Sequence, residues 1–357
     1  RMFGVPNLGG MDAGDGAVVM DGASAVALTE TVVVDAVALG GSQAAQVAEL
    51  ACREEGREVG LNILTAESPR GALAAAMGQA MAGCRSSVFL SGADVAASQD
   101  LLRSAAGRHL PLVVHLINRA VPTHGETQGS GHEALHLLAE SGCFVMIAAN
   151  VQEAVDFTLI ARKVAETALV PAVVAMDSEQ TSMAVQDLQL SSTAMINDYL
   201  GNADGDMASP TPAQQMLYGE QRRRMPRLHD PDQPMLQGAV HDSQSYAMGA
   251  MASGPFFDTH FDELLQEAFQ EFEKLTGRYY SALSNYRVDE SSRLLLAQGS
   301  AVEAAKVVAD RLSSKRKDRI GVVGIHCLRP FPGAGLVEQL SGKRWVAVME
   351  RLVAPLN

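Results

Sequence analysis

The sequence lacks the cysteine patterns that mark a disulfide framework or a metal cluster. Its four cysteines, Cys52, Cys84, Cys143 and Cys327, lie far apart, and none belongs to a Cys-x-x-Cys pair. A run of eighteen apolar residues and a basic-then-apolar leader are missing too. We therefore expect a protein of a reducing, cytoplasmic compartment, without a membrane span or a recognisable secretion signal.

Positive charge is also scarce. The 357 residues include 28 lysines and arginines against 41 aspartates and glutamates, which gives a net charge of −13. Because phosphate backbones are bound by clustered cations, nucleic acid is not an expected partner. No G-x-G-x-x-G follows the first strand and no G-x-x-x-x-G-K-[ST] occurs, which argues against a dinucleotide or nucleoside triphosphate site.

The chain does contain enough apolar sequence for a large core. Hydrophobic residues make up 47% of it, and its length predicts two domains. Residues 1–20, with five glycines, are predicted to be a lead-in. From there to residue 190, short apolar strands alternate with helices, a pattern typical of a parallel sheet covered on both faces.

Two further segments follow this first domain. Residues 191–260 are rich in Pro, Gly, Gln, Asp and Met and predict a long irregular connector, a kind of segment that is more often functional than idle. Residues 261–357 begin with an amphipathic helix and continue as a second, smaller α/β domain, which we expect to extend beyond Asn357. The predicted fold class is therefore α/β, with a parallel-sheet domain followed by a smaller α/β domain.

Local patterns give more specific expectations. We predict a strand at Thr31–Leu39 and a helix that begins at Gln43, with Ser42 as its N-cap. Two longer helices are predicted to bury one face each against a sheet. These faces are Val155, Leu159, Ile160 and Val164 in the first domain, and Ala301, Ala305, Val308 and Leu312 in the second.

Three polar side chains, Ser42, Glu67 and Arg119, follow the carboxyl ends of predicted strands. Ligands of open α/β sheets bind beyond these ends, so Arg119 would anchor an anionic substrate there. A half-buried Glu67 would exchange a proton with a heterocyclic nitrogen. Each residue also has an ordinary interpretation, as a surface arginine, a solvated turn glutamate or an N-cap serine. Their shared placement on one sheet edge favours a site.

A metal site is suggested by one short motif. His132-Glu133-x-x-His136 matches the zinc-protease pattern, in which two histidines one helical turn apart hold zinc and the glutamate acts as a base. A third ligand and an antiparallel edge strand are not identifiable, so a metalloprotease is a distant alternative. Residues 202–206 alternate Asn and Asp but lack the later glutamate of an EF-hand loop. We therefore predict no metal site.

Several longer segments together resemble a known family. They are DGASAVA at 21–27, RAVPTH at 119–124 with a histidine at 132, 144–166, FEKLTGRYYSALSNY at 272–286, and LRPFP at 328–332. In this order they resemble the thiamine diphosphate-dependent pyruvate:ferredoxin oxidoreductases and related 2-oxoacid:acceptor oxidoreductases. The resemblance implies that family's first two domains, a pyrimidine-binding-like domain and a smaller transketolase-C-terminal-like domain.

The resemblance also implies roles for the three candidate residues. Glu67 falls at the glutamate that contacts the aminopyrimidine ring of the cofactor, and Arg119 at the arginine that meets the 2-oxoacid carboxylate. Ser42 falls, after one gap, at a substrate-contacting threonine in a Tyr-Pro-Ile-Thr-Pro turn. The turn here reads Leu39-Gly40-Gly41-Ser42-Gln43. Because the prolines are lost, we expect this turn to be looser.

As a function, the resemblance implies a component of a 2-oxoacid (pyruvate-like) oxidoreductase that decarboxylates its substrate oxidatively. Thiamine diphosphate would be its cofactor, with the diphosphate and Mg²⁺ site elsewhere. Electrons would pass to iron–sulfur clusters in partner domains or subunits of a dimeric assembly, and then to ferredoxin or flavodoxin. The alternative is a degenerate, non-catalytic module of the same fold that serves assembly in a larger reductase.

Overall fold

The computed structural model describes residues 17–230, 240–315 and 319–352. Most of the predicted lead-in and the expected continuation after Asn357 lie outside these residues. The described part of the lead-in ends in a strand that pairs with a later one, at Val18–Asp21 and Val185–Leu188.

The described residues form thirteen α-helices and fifteen strands. The helices are α1 (Gly22–Val33), α2 (Gln46–Val59), α3 (Pro69–Met81), α4 (Gly92–Ala96), α5 (Gln99–Gly107), α6 (Glu133–Leu138), α7 (Val151–Ala168), α8 (Thr193–Leu200), α9 (Pro212–Tyr218), α10 (Ser243–Phe256), α11 (Phe261–Thr276), α12 (Ala301–Lys315) and α13 (Gly333–Leu340). The strands are β1 (Val18–Asp21), β2 (Ala36–Leu39), β3 (Asn62–Thr65), β4 (Ser86–Ser91), β5 (Val113–Asn118), β6 (Phe144–Ala148), β7 (Ala172–Asp177), β8 (Val185–Leu188), β9 (Asp206–Ala208), β10 (Gln221–Arg223), β11 (Leu283–Tyr286), β12 (Arg293–Gln298), β13 (Ile320–Ile325), β14 (Cys327–Arg329) and β15 (Trp345–Val348).

A seven-stranded sheet of order β14-β6-β7-β5-β4-β2-β3 forms the centre of the molecule. Six of its strands run parallel, and β14 is antiparallel to β6. One face is covered by α1, α2, α7 and α11, and the other by α3, α5 and α6. The predicted parallel sheet with helices on both faces is confirmed.

Helix α7 is buried more completely than its sequence pattern indicates. The four apolar residues predicted to face the sheet are all fully buried, which confirms that face. Arg162, on the same helix, is fully buried too and donates to both carboxylate oxygens of Glu30, each at 3.2 Å. His115 of β5 lies 2.5 Å from that carboxylate. Burial raises the pKa of the Glu30 carboxyl, but the nearby Arg162 and His115 lower it by more. The pKa of Glu30 therefore lies below its ordinary value.

One local expectation is wrong, and a second, Ser42 as the N-cap of a helix that begins at Gln43, is confirmed in position but not in its capping hydrogen bond. Thr31, Val32 and Val33 belong to helix α1, and the strand begins only at Ala36. Nearly every position of α1 is buried, so tertiary packing overrides the strand propensity of its β-branched residues. Ser42 precedes a short 3₁₀ turn at Gln43–Ala45, and its side chain makes no capping hydrogen bond there.

A second sheet of order β11-β13-β12-β15 forms the smaller α/β unit. The buried residues of α12 are Val302, Ala305 and Ala309, whereas Val308 and Leu312 are 47% and 37% exposed. The prediction that Val308 and Leu312 are buried is therefore wrong. The buried face of α12 runs through Val302, Ala305 and Ala309 instead. Helix α11, at the predicted start of this unit, instead packs on the first sheet through Phe269 and Phe272.

The segment predicted as an irregular connector is largely folded. Of its described residues, three stretches are helical (α8, α9 and α10) and two short strands pair as an antiparallel ribbon (β9 and β10). None of the residues of α10 is buried. Because this helix has no buried face, its sequence shows no regular spacing of apolar residues. None of the helices within the described ranges is long and apolar enough to cross a membrane.

Candidate functional site

The carboxyl edge of the large sheet brings the predicted site residues together. Glu67 follows β3, Ser42 follows β2 and Arg119 follows β5. Strand β4 lies between β2 and β5, and Asp94 stands three residues after its end. Because the six strands are parallel, all four turns open on the same side of the sheet.

The turn that carries Ser42 is held by a buried carboxylate. Glu49 accepts hydrogen bonds from the backbone N–H groups of Gly40, Gly41 and Ser42 at 3.0–3.2 Å. Gly41 has a left-handed φ of 69°, and a Cβ at Gly40 would stand 2.5 Å from Pro69 Cα. In this turn without prolines, the Glu49 carboxylate and two glycines therefore set the backbone conformation.

Ser42 points its hydroxyl at another residue of the site. It is 1% exposed and donates to Asp94 Oδ2 at 2.6 Å. The same oxygen accepts from the backbone N–H and the hydroxyl of Ser91, both at 2.7 Å. Three donors thus converge on one oxygen of Asp94 and fix its orientation.

Arg119 lies at the mouth of a small cleft next to this cluster. Its guanidinium donates to the Thr127 carbonyl, and contacts Gln43 Oε1 at 3.4 Å and Glu126 at 3.7 Å. The cleft has a volume of about 150 Å³, and Gln43, Ser91, Asp94, Arg119 and Glu126 supply its polar lining. The space suits a small ligand, since roughly 10–15 Å³ of such volume is enough for one water molecule.

Glu67 differs from its neighbours on this edge. It is exposed rather than half-buried as expected, and it has no hydrogen bond or ion pair with any described residue. The residues around it are well placed, because Ser68 caps α3 by accepting from the Gly71 N–H at 3.1 Å. The carboxylate is therefore held on a fixed turn and is free for a ligand.

The motif His132-Glu133-x-x-His136 does not form a metal site. His132 is 1% exposed and precedes α6, where its ring contacts Asp177 at 3.0 Å and Gln298 at 3.1 Å. The side chain of His136 is 53% exposed, and no group of three metal-ligating side chains occurs among the described residues.

Asp177 joins the two sheets at the end of β7. It is fully buried and accepts from the Ser300 N–H at 2.9 Å and the Ser300 hydroxyl at 2.5 Å, besides its contact with His132. Burial raises the pKa of the Asp177 carboxyl, but the hydrogen bond and charge of His132, together with the hydrogen bonds of Ser300, lower it by more. The pKa of Asp177 therefore lies below its ordinary value. Sequence reasoning missed this junction because Ser300 and Gln298 are distant in the chain.

A larger cleft of about 810 Å³ lies at the opposite edge of the sheet. It is formed by α10 and the loops before β5, β6 and β7, with His109, Gly142 and Val170 among its residues. None of the three predicted site residues lines it. The chemistry predicted from the sequence is therefore confined to the carboxyl edge.

Comparison with known proteins gives the family. The family profile described as "Pyruvate flavodoxin/ferredoxin oxidoreductase, thiamine diP-bdg" matches residues 42–249. The chain belongs to this family. This membership confirms the predicted resemblance. The matched residues include most of the large sheet, so the domain built on that sheet belongs to a thiamine diphosphate-binding family.

Similar proteins include one named as an oxidoreductase and one named as a subunit of pyruvate synthase. The chain is 26% identical over 294 residues to "Probable pyruvate-flavodoxin oxidoreductase" of Escherichia coli, covering 82% of the chain and 24% of the relative. It is 26% identical over 298 residues to "Pyruvate synthase subunit PorA" of Pyrococcus furiosus, covering 82% and 69%. The chain thus spans about a quarter of the first relative's length.

A solved structure supports the fold. "2-oxoglutarate:ferredoxin oxidoreductase from Magnetococcus marinus with 2-oxoglutarate, coenzyme A and succinyl-CoA bound" superposes with a TM-score of 0.66 at 16% identity. The match covers 94% of this chain and 58% of that one. Together with the family match, this confirms the predicted fold class, in which a pyrimidine-binding-like α/β domain precedes a smaller α/β domain.

Proposed function

We propose that this chain is the pyrimidine-binding component of a thiamine diphosphate-dependent 2-oxoacid:ferredoxin or flavodoxin oxidoreductase. The observation that carries the proposal is the placement of Glu67 and Arg119 on one edge of a sheet that belongs to a thiamine diphosphate-binding family. The two reacting molecules require a carboxylate without a partner among the described residues, which is Glu67, and a cation at a small cleft, which is Arg119.

Glu67 fits the cofactor end of the site. Its carboxylate is exposed and has no partner among the described residues, so it can hydrogen-bond a ring nitrogen and hold a proton there. Thiamine diphosphate, when bound, supplies the nucleophilic carbon and the electron sink that decarboxylation of a 2-oxoacid needs. The part of Glu67 is to bind the aminopyrimidine ring and to keep its proton on the correct atom.

Arg119 fits the substrate end. Its guanidinium contacts two neutral oxygens, on Thr127 and Gln43, and only distantly Glu126. A substrate carboxylate is a stronger acceptor than these oxygens, because both partners of the new hydrogen bonds are charged. Arg119 would therefore hold the carboxylate and orient the ketone carbon, with Ser42 acting in the same site through its bond to Asp94.

Further domains or subunits complete the proposed enzyme. The four cysteines of this chain are dispersed and unpaired, whereas iron–sulfur clusters need several cysteines together. The clusters and the diphosphate–Mg²⁺ site are therefore assigned to partner domains or subunits, in a cytoplasmic and dimeric assembly. The greater length of the relatives supports this division of labour.

The test is Glu67→Gln in the complete assembly, with Glu58→Gln on the exposed end of α2 as the matched control. We expect Glu67→Gln to lower 2-oxoacid-dependent acceptor reduction by about 10²- to 10⁴-fold, the usual contribution of a proton-transferring group. Its melting temperature should match the wild type. Wild-type rates in Glu67→Gln would reject the role of Glu67.

The alternative function, a non-catalytic assembly module, gives a different result. In that case the wild-type assembly would reduce no acceptor with any 2-oxoacid and would not bind thiamine diphosphate in a calorimetric titration. Binding of the cofactor together with 2-oxoacid turnover would reject the module.

A further inference from the structure

The hydroxyl of Ser42 has one hydrogen, and the structure shows where it goes. It is donated to Asp94 Oδ2 at 2.6 Å, and the serine is 1% exposed. A hydroxyl can donate only once. Ser42 therefore cannot donate to a substrate carboxylate as well, and the carboxylate-binding task is left to Arg119.

Asp94 has a second oxygen. All three hydrogen bonds to its side chain end on Oδ2, and Oδ1 accepts none from the residues that the structure describes. The residue is half-buried and lines the same cleft as Arg119. Because Oδ2 is fixed by three donors, the orientation of the whole carboxylate, and with it the position of Oδ1, is fixed as well.

The cleft therefore presents both signs of charge to a small ligand. Arg119 offers hydrogen-bond donors for a carboxylate, and Asp94 offers an anionic acceptor. The rest of the lining consists of Gln43, Ser91, Gly92 and Glu126, which lies beside Arg119, and of the small apolar side chains of Ala44, Ala93, Ala120 and Pro122. A ligand with a carboxylate at one end and a hydrogen-bond donor at the other matches this lining better than an aliphatic acid does.

We propose that Asp94 makes this site selective for small 2-oxoacids that carry a hydroxyl group on the carbon next to the ketone. The inference rests on the proposed function, since it assigns the substrate class of the same site. Arg119 binds the carboxylate, and Asp94 Oδ1 accepts the hydrogen bond of the substrate hydroxyl. A methyl group in that place would remove water from the aspartate without replacing its hydrogen bond, which disfavours the aliphatic acid.

The experiment compares two acids of equal size in the complete assembly. Hydroxypyruvate and 2-oxobutyrate have the same number of non-hydrogen atoms and differ by a hydroxyl in place of a methyl. We expect kcat/KM to favour hydroxypyruvate by about 10- to 100-fold, the usual worth of a hydrogen bond to a charged group. The difference should lie in KM rather than kcat, and calorimetric binding of each acid should give the same order.

Two variants and a control assign the preference to Asp94. Asp94→Ala should bring the ratio close to one, and Asp94→Asn, which keeps the side-chain shape, should lower it to an intermediate value. Asp100→Asn serves as the control, because Asp100 is exposed and pairs with Arg70 away from the cleft. Melting temperatures of all variants identify any that fail to fold.

The outcomes separate this inference from the proposed function. If both acids are turned over but the wild type shows no preference, or if a folded Asp94 variant keeps the preference, the inference is wrong and the oxidoreductase function stands. If neither these acids nor any other 2-oxoacid is turned over, the proposed function fails. The calorimetric binding order then still decides the inference, because binding does not require turnover.

Discussion

The two ends of the candidate site differ in how completely this chain builds them. At the proposed substrate end, Glu49 holds the turn of Ser42, and Ser42 and Ser91 hold Asp94. At the proposed cofactor end, Glu67 stands exposed on its turn without a partner among the described residues. The side chains of the first end are therefore oriented by internal hydrogen bonds, whereas the carboxylate of Glu67 is not.

This difference separates stability from activity. Residues with many internal partners cost folding energy when they are changed, because buried donors are then left without acceptors. A residue without partners can be changed with little effect on folding, so its contribution appears only in the reaction. The same substitution at the two ends should therefore have opposite consequences.

The largest expected effect comes from comparing Glu49→Gln with Glu67→Gln. Glu49→Gln removes the charge that accepts three backbone N–H groups, and should lower the free energy of unfolding by about 2 kcal/mol. Glu67→Gln should change it by less than about 0.5 kcal/mol. Urea denaturation of the full chain measures both values. Equal losses would show that the two ends are equally preorganised.

A smaller difference, about 1 kcal/mol, is expected between the two glycines of the Ser42 turn. Gly40→Ala would bring a Cβ to 2.5 Å from Pro69 Cα and 2.6 Å from the Ser68 carbonyl oxygen. Since both are backbone atoms, we expect a loss of about 2 kcal/mol. In Gly41→Ala the new Cβ meets no atom within 4 Å. This variant should lose only the free energy that an alanine needs to adopt a φ of 69°, about 1 kcal/mol. Thermal unfolding of the two variants checks the order, and a reversed order would contradict the close approach at Gly40.

The smallest effect concerns pH. The pKa of Asp177 is lower in the folded chain than its ordinary value near 4. A carboxyl with a depressed folded pKa stabilises the fold above its unfolded pKa, and this stability is lost as the pH falls through the folded pKa. We therefore expect the free energy of unfolding to fall below about pH 4 with a steeper slope in the wild type than in Asp177→Asn. Identical slopes in urea titrations from pH 2.5 to 5 would show that Asp177 does not contribute.

The sequence predicted the sheet well because its strands are short, nearly uninterrupted apolar runs. It also placed Ser42, Glu67 and Arg119 at strand ends, since a strand end is visible where the apolar run stops. Thr31–Val33 was misplaced because β-branched residues favour strands in isolation, and only the burial of α1 decides for a helix. The inward face of α12 shifted by one residue for a similar reason, since alanines on both sides of the helix left the period ambiguous.

The polar contacts of the site could not be derived in the same way. Ser91-x-x-Asp94 is a recognisable capping pattern, and it could have drawn attention to Asp94. The bond from Ser42 to Asp94, however, joins residues 52 positions apart and depends on β2 and β4 being neighbours. Likewise, the sequence motif suggested His132 as a zinc ligand, whereas the structure shows its ring in contact with Asp177. The amino-acid sequence shows which residues are polar, but the order of the strands in the sheet determines which of them come into contact.

Strand β14 has a consequence for dividing this protein into pieces. It follows the second sheet's β13 in the chain, yet it pairs with β6 at the edge of the first sheet. A fragment cut after α11 would leave β6 with a row of unpaired backbone groups, the kind of edge that recruits other strands and aggregates. We therefore expect a fragment that folds without aggregating to extend to Arg329, well past residue 249, where the family match ends.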